Sequence, residues 1–163
     1  MISAPDTLRG IYSAARAIGE KSINSDATME IDGFTGLMLL TKQFPWPVMG
    51  SQGEIEVAGP LGVPWAQPQN VRVWHQGPVT FTETKSGMVG QFLTEVITRQ
   101  GGVFQATVYE GTPESFSYGL RLVDCFFVPD GVDRDWENRA QMTMVNGTLH
   151  YHHFGQRIPG NAV

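Results

Sequence analysis

The chain has one cysteine, little charge, no long apolar run and no internal repeat, and each shortage excludes something. Cys125 stands alone among 163 residues. No intrachain disulfide can form, so neither a stapled secreted scaffold nor a cysteine-based zinc module is possible. Beside Phe126 and Phe127 its thiol reads as a small buried group, chemically inert. The longest apolar runs, Leu37–Leu40 and Cys125–Val128, are far too short to span a bilayer. The first residues lack a basic stretch followed by an apolar one, so no secretory leader is expected. Charged residues make up 17% of the sequence, against about 25% in an average domain. Bases are the scarcer sign: 11 Lys and Arg against 16 Asp and Glu give a net charge of -5. Gripping nucleic acid through its phosphates needs clustered bases, so the acidic balance argues against that class. It does not exclude a surface past which nucleic acid slides.

Catalytic signatures are also missing. There is no GxxxxGK[ST] or GxGxxG phosphate loop and no GxSxG elbow. His150, His152 and His153 form the one histidine cluster. On a strand two of them share a face and the third takes the other, and no third ligand follows by spacing. Asp130, Asp133, Asp135 and Glu137 offer oxygens, but without the calcium-loop order and its central glycine. No catalytic, cofactor-binding or metal-binding residue is therefore assigned, no cofactor is expected, and the chain is not expected to be an enzyme.

What is present points to a β protein. A hydrophobic fraction of 41% supports one core, and 19 Gly with 10 Pro imply many turns. Pro5–Glu20 reads as a short helix capped by Asp6, with a thin apolar stripe of Leu8, Ile11, Tyr12, Ala15 and Ile18. Thr28–Asp32 alternates as a strand, and the run within Gly36–Lys42 reads as a central strand apolar on both faces. Val71–Trp74 and Pro78–Thr84 read as strands split at Gln76-Gly77. Met88–Gln100 is the clearest helix: Met88, Val89, Phe92, Leu93, Val96 and Ile97 fall on one face, and Gly101-Gly102 ends it. Val103–Glu110 and Tyr118–Val128 follow as strands. Gln141–Phe154 reads either as one long strand bulged at Gly147, the preferred reading, or as a hairpin turning at Asn146-Gly147. Arg157–Val163 reads as a frayed tail.

Two stretches stand outside this pattern. Residues 43–69 are broken by prolines and glycines at both ends, with Glu54–Val57 alternating between them. They predict a projecting arm that carries Phe44, Trp46, Pro47 and Trp65, either as a contact surface or folded back on its own domain. The second stretch joins the last two long strands. From Phe104 to Asn138 there are seven acids and two bases, and the loop itself carries Asp133, Asp135, Trp136 and Glu137.

This order of elements resembles the tail tube proteins of contractile-tailed bacteriophages, a fold they share with type VI secretion tubes. The likeness covers about Thr28–Phe154. Its carriers are the early strands, the arm after Lys42, strand Val79–Thr82, the helix 88–100, and strand Tyr118–Val128. The Asp133–Asn138 loop then leads into a closing strand ending Tyr151-His152-His153-Phe154. The resemblance implies an antiparallel β-sandwich or barrel with one flanking α-helix, a projecting β-hairpin arm and an N-terminal helix. It divides the chain into 1–27 (helix and linker), 28–156 (β domain) and 157–163 (tail). It implies a structural virion protein whose hexameric rings stack into the inner tail tube. The tube would be assembled in the host cytoplasm, hold the tape-measure protein and conduct double-stranded DNA without binding it specifically. Implied partners are further copies of itself, the sheath protein, and the baseplate and tail-terminator proteins, with no membrane. Phe44, Trp46, Pro47 and Trp65 would then make ring-stacking contacts, and Asp133, Asp135, Trp136 and Glu137 subunit contacts. The alternatives are a baseplate tube-initiator or tail-completion ring, the tube protein of a type VI secretion system, and, in another class, a β-barrel holding a small apolar ligand.

Overall fold

The long strand β7 (Phe116–Pro129) organises the molecule. The protein is described over residues 4–162 of a computed structural model; Met1–Ser3 and Val163, the outermost parts of the expected N-terminal segment and tail, lie outside the described residues. Along its first half β7 pairs with β6 (Phe104–Gly111) on one side and β9 (Arg157–Pro159) on the other; along its second half it pairs with β8 (Met144–His152). The switch falls at Asp124, whose φ is 48°. Asp is one of the few residues that visits this left-handed region routinely. Gln105 holds it by donating its Nε2–H to Asp124 Oδ1 (2.8 Å) and accepting the Asp124 N–H at its own Oε1 (3.0 Å). Register shifts flank the site in both pairings, and a bulge of this kind bends a strand and raises its twist.

The bend curls the sheet. Its strand order is β1–β6–β7–β8–β5–β2, with β1 at Ala27–Ile31, β5 at Trp74–Thr82 and β2 at Thr41–Gln43, and every pairing is antiparallel. The result is a nearly closed barrel. Its seam lies between β1 and β2, which do not pair. The connection between them fills the seam with side chains: a 3-10 helix, Thr35–Leu40, sinks Leu37 completely. The strand expected over Gly36–Lys42 is thus mostly this helix. A four-residue apolar run carries no period that separates strand from helix, and Thr41 closes the turn by donating its hydroxyl to the Leu37 carbonyl (2.8 Å).

The barrel interior holds Met29, Ile31, Val79, Phe81, Ala106, Val108, Leu122, Cys125, Leu149 and Tyr151. Helix α2, Met88–Gln100 as its apolar spacing predicts, drives Val89, Phe92 and Val96 into this core. Phe92 meets Phe34, Phe81 and Phe104 edge-on at 4.7, 6.3 and 5.5 Å, so one ring ties the seam to both sides of the sheet. Burial pushes the Cys125 thiol up to about 12, which leaves it inert.

The start of α2 is capped from a distance. Gly87 has no side chain to offer, and Glu83 supplies the acceptors: Oε1 takes the N–H of Thr84 and Val89 (both 2.9 Å) and Oε2 that of Gly90 (3.0 Å). Burial alone would raise this carboxyl, but the three donors outweigh it and hold Glu83 below its ordinary value. Glu83→Gln is expected to cost about 1 kcal/mol, the usual worth of a helix cap, read as a lower urea midpoint. Since the folded form binds its proton less readily than the unfolded chain, this contribution is present above the ordinary carboxylate range. It fades as pH falls through the lower folded value.

His75 sets a second acid limit. It is buried, stacks on Tyr151 at 5.4 Å, and its Nε2 meets the Arg72 carbonyl at 3.0 Å. Burial lowers its pKa below 6.5, against a smaller opposing pull from that carbonyl. The unfolded chain therefore takes up the proton first, and stability is lost as pH drops below the free imidazole value. The melting temperature should fall between about pH 7.5 and 5.5, and His75→Phe should flatten that fall.

Several boundaries differ from the sequence reading. The N-terminal helix α1 is Pro5–Ala17, and its cap residue is Ala4 rather than Asp6. β5 runs unbroken through Gln76-Gly77, because Gly77 is where Pro45 packs: a Cβ there would lie 2.5 Å from Pro45 Cβ. β8 is one strand, Met144–His152, as preferred, but in unshifted register with β5 and without a bulge at Gly147. Part of the expected tail is strand β9, which needs only backbone partners on β7 and one half-buried side chain, Ile158.

Candidate functional site

The arm and the acidic loop leave the barrel as exposed projections. The arm is a hairpin, β3 (Glu54–Ala58) against β4 (Pro64–Pro68), forming a sheet of its own. Backbone hydrogen bonds continue the ladder toward the body: Gln69 N to Gly53 O, Gln52 N to Asn70 O, and Arg72 N to Gly50 O (2.8–2.9 Å). From Gly50 to the tip that is roughly 35 Å of paired chain. At the tip Leu61 has φ 59° and is fully exposed. A left-handed leucine costs roughly 1–2 kcal/mol, and solvent gives nothing back for it.

The register sorts the arm's side chains into two faces. Val57 opposes Trp65 and Ile55 opposes Gln67; Glu54 opposes Pro68 and Glu56 opposes Ala66. Alternation places Ile55, Val57 and Trp65 on one face and both carboxylates on the other. Among the described residues nothing covers the apolar face: Ile55 is 43% and Trp65 49% exposed.

The structure divides the four arm residues singled out from the sequence. Phe44 and Trp46 pack against the core cluster, and Pro47 is buried. Trp46 meets Tyr118 edge-on at 5.9 Å, and the Arg157 guanidinium covers that ring at 4.1 Å. These residues root the arm on the body, so the large apolar side chains the arm leaves exposed are Trp65 with Ile55, Leu61 and Val63. The proline-rich root thus folds onto its own domain, as one reading of that stretch has it, and the hairpin projects, as the other has it.

The loop after β7 runs irregularly from Asp130 to Thr143. Asp135 accepts the Glu137 N–H at its carboxylate (2.9 Å), while its carbonyl takes the Asn138 N–H. This turn presents Trp136, 96% exposed, at the apex. Asp133, Asp135 and Glu137 surround it in solvent.

The histidines separate as alternation requires. His150 lies on the outer face between Phe126 (4.7 Å) and Trp74 (5.8 Å), both nearly parallel to it. His152 donates Nδ1–H to the Val123 carbonyl; His153 is buried on the other side against the Arg121 carbonyl. Among the described residues no three His, Cys, Asp or Glu side chains are grouped to hold a metal ion. The stacked Phe126–His150–Trp74 ladder across β7, β8 and β5 was not legible in the sequence, since cross-strand neighbours depend on register. Among the described residues no helix is long and apolar enough to cross a membrane.

The fold as a whole is similar to that of components of contractile injection systems. The chain is similar to one in the sheath–tube complex of an extracellular contractile injection system, PVC, in its extended state (10% identity, 93% of this chain and 98% of that one, TM-score 0.53). It is similar to a chain of the anti-feeding prophage baseplate (8%, 86% and 97%, TM-score 0.57) and to the tube-terminating cap of that particle (8%, 82% and 89%, TM-score 0.53). No protein-family model and no curated protein matches the sequence.

Proposed function

We propose that this protein is a structural, non-enzymatic ring subunit of a contractile tail. Six copies close a ring, and stacked rings make the inner tube. The observation that carries the reading is the arm: roughly 35 Å of hairpin with an uncovered apolar face, on a fold shared with chains of sheath–tube, cap and baseplate assemblies over 82–93% of its length. An isolated two-stranded hairpin is at best marginally stable in water, so the arm is built for something outside its own chain. Among the described residues the seam strands β1 and β2 each leave one edge unpaired, and copies arranged in a ring would cover such edges.

In this reading the subunit belongs to a phage particle assembled in the host cytoplasm. The arm joins ring to ring, and the sheath, the baseplate and the tail terminator are its outer partners. The lumen holds a tape-measure protein and then passes DNA. A net charge of -5 per copy repels phosphates within a Debye length of the wall, about 8–10 Å, so the duplex moves without sticking. The expected inward surface therefore carries more carboxylates than amines.

Concentrated protein viewed by negative-stain electron microscopy should show rings about sixfold in symmetry or tubes built from them. A chain that stays monomeric at every concentration overturns the proposal. The baseplate and cap likenesses favour one second reading, a single initiating or terminating ring. Quantified protein per particle separates the two: a tube subunit is present in many rings, an initiator in one.

A further inference from the structure

Among the described residues two elements lack a partner, and they match each other. Helix α1 buries none of its residues. Leu8, Ile11 and Tyr12 are 52–65% exposed, and with Ala15 they form one stripe at helical spacing. A 13-residue helix is marginal in water without a surface to lie on. Arg9 and Arg16, two turns apart, run along one flank of that stripe. The linker that follows, residues 18–26, is exposed throughout. The arm is the converse: Ile55, Val57 and Trp65 on one face, with Glu54 and Glu56 along the open edge strand β3.

We propose that α1 of one copy lies across the apolar face of the arm of a neighbouring copy. The Leu8–Ile11–Tyr12 stripe covers Ile55, Val57 and Trp65. Arg9 and Arg16 reach round the β3 edge to Glu56 and Glu54. The arginines are spaced by about 10 Å along the helix and the glutamates by about 7 Å along the strand, a mismatch that two long side chains absorb. The helix completes the hairpin as a third element, and the hairpin gives the helix its missing surface. The inference rests on the ring reading and names its partner: a second copy of this chain, held through its N-terminal helix.

The test uses the full chain carrying Ile11→Cys in one preparation and Val57→Cys in another. Both positions are outside the core, and the buried, unreactive Cys125 does not compete. The two are mixed, concentrated and treated with a mild oxidant, then run on a non-reducing gel and viewed by negative stain. A mixed disulfide dimer, well above the like-with-like dimers of either preparation alone, is expected. Glu54→Arg with Glu56→Arg in the arm preparation should cut its yield about fivefold. Arg9→Glu with Arg16→Glu in the helix preparation should restore it. Rings without the mixed dimer overturn the contact and leave the ring reading standing. A mixed dimer without rings supports the contact and overturns the ring. Monomers with no mixed dimer overturn both. A yield unmoved by the charge reversal overturns the docking, and so does a fast-migrating monomer in diluted protein carrying both cysteines, since the helix would then lie on its own arm.

Discussion

Gly147→Ala should destabilise the subunit by about 2–4 kcal/mol, a large effect for one methyl group. Gly147 sits in the middle of β8 between Val79 on β5 and Pro129 on β7. A Cβ there would stand 2.4 Å from the Val128 carbonyl oxygen and 2.5 Å from the Phe127 ring. Real Cβ atoms do not approach that closely, so something must move. The oxygen belongs to the partner strand's backbone. The ring is wedged edge-on against Phe81 at 5.6 Å and packs on the core. Both obstacles are fixed by structure, which distinguishes this site from Gly36, where the nearest atom is the end of the Met88 side chain. Urea denaturation of Gly147→Ala measures the loss directly. Gly147→Ala combined with Phe127→Leu should recover part of it, because the ring obstacle goes while the carbonyl stays. A loss below about 1 kcal/mol in the single variant would mean that β8 and β7 shift apart cheaply, and the close packing of these strands would have to be abandoned.

The same glycine shows where sequence reasoning stopped. Asn146-Gly147 reads as a turn or a bulge because local rules reserve such pairs for irregular backbone. Its real cause is a third body, the Phe127 ring lying over it from another strand. Gly77 is the parallel case, emptied for Pro45 rather than for a break in β5. Helix α2 was legible to the residue, since apolar side chains at helical spacing over thirteen positions report one face directly, though Met88 and Ile97 at its margins stay exposed. The long β7–β8 pair was legible too, though its bend at Asp124 was not: nothing local marks an Asp held by a glutamine nineteen residues away. The run Leu37–Leu40 was misread because its four apolar residues fit either period. For the candidate site, the arm's existence followed from its proline and glycine borders. Its two faces did not, since they depend on the register of β3 against β4. Trp46 and Trp65 looked alike from sequence. One roots the arm and the other is offered to solvent, a difference set by contact with Tyr118, far along the chain, whose ring Arg157 covers.

That difference gives the second large effect. Residues 54–68 can be replaced by a short Gly-Ser turn between Gly53 and Gln69, which are already hydrogen-bonded at 2.8 Å. The core cluster takes nothing from the removed stretch, so the melting temperature should stay within a degree or two, as for surface changes remote from packing. Assembly should be abolished, with neither tubes nor stacked rings in negative stain at concentrations where the intact chain polymerises. Trp65→Ala is the graded form. A large aromatic at the centre of an interface face is worth roughly 2 kcal/mol or more, so the concentration needed for assembly should rise at least about thirtyfold. Trp46→Ala should do the opposite, lowering stability by about 2–3 kcal/mol through lost packing at the arm's root, with assembly affected only as far as folding is. The contrast is the point of the experiment: two tryptophans nineteen positions apart, one failing by unfolding and one by failing to associate. Tubes of ordinary length from the arm-shortened chain would remove the arm from the contact between rings, whatever the fold resembles.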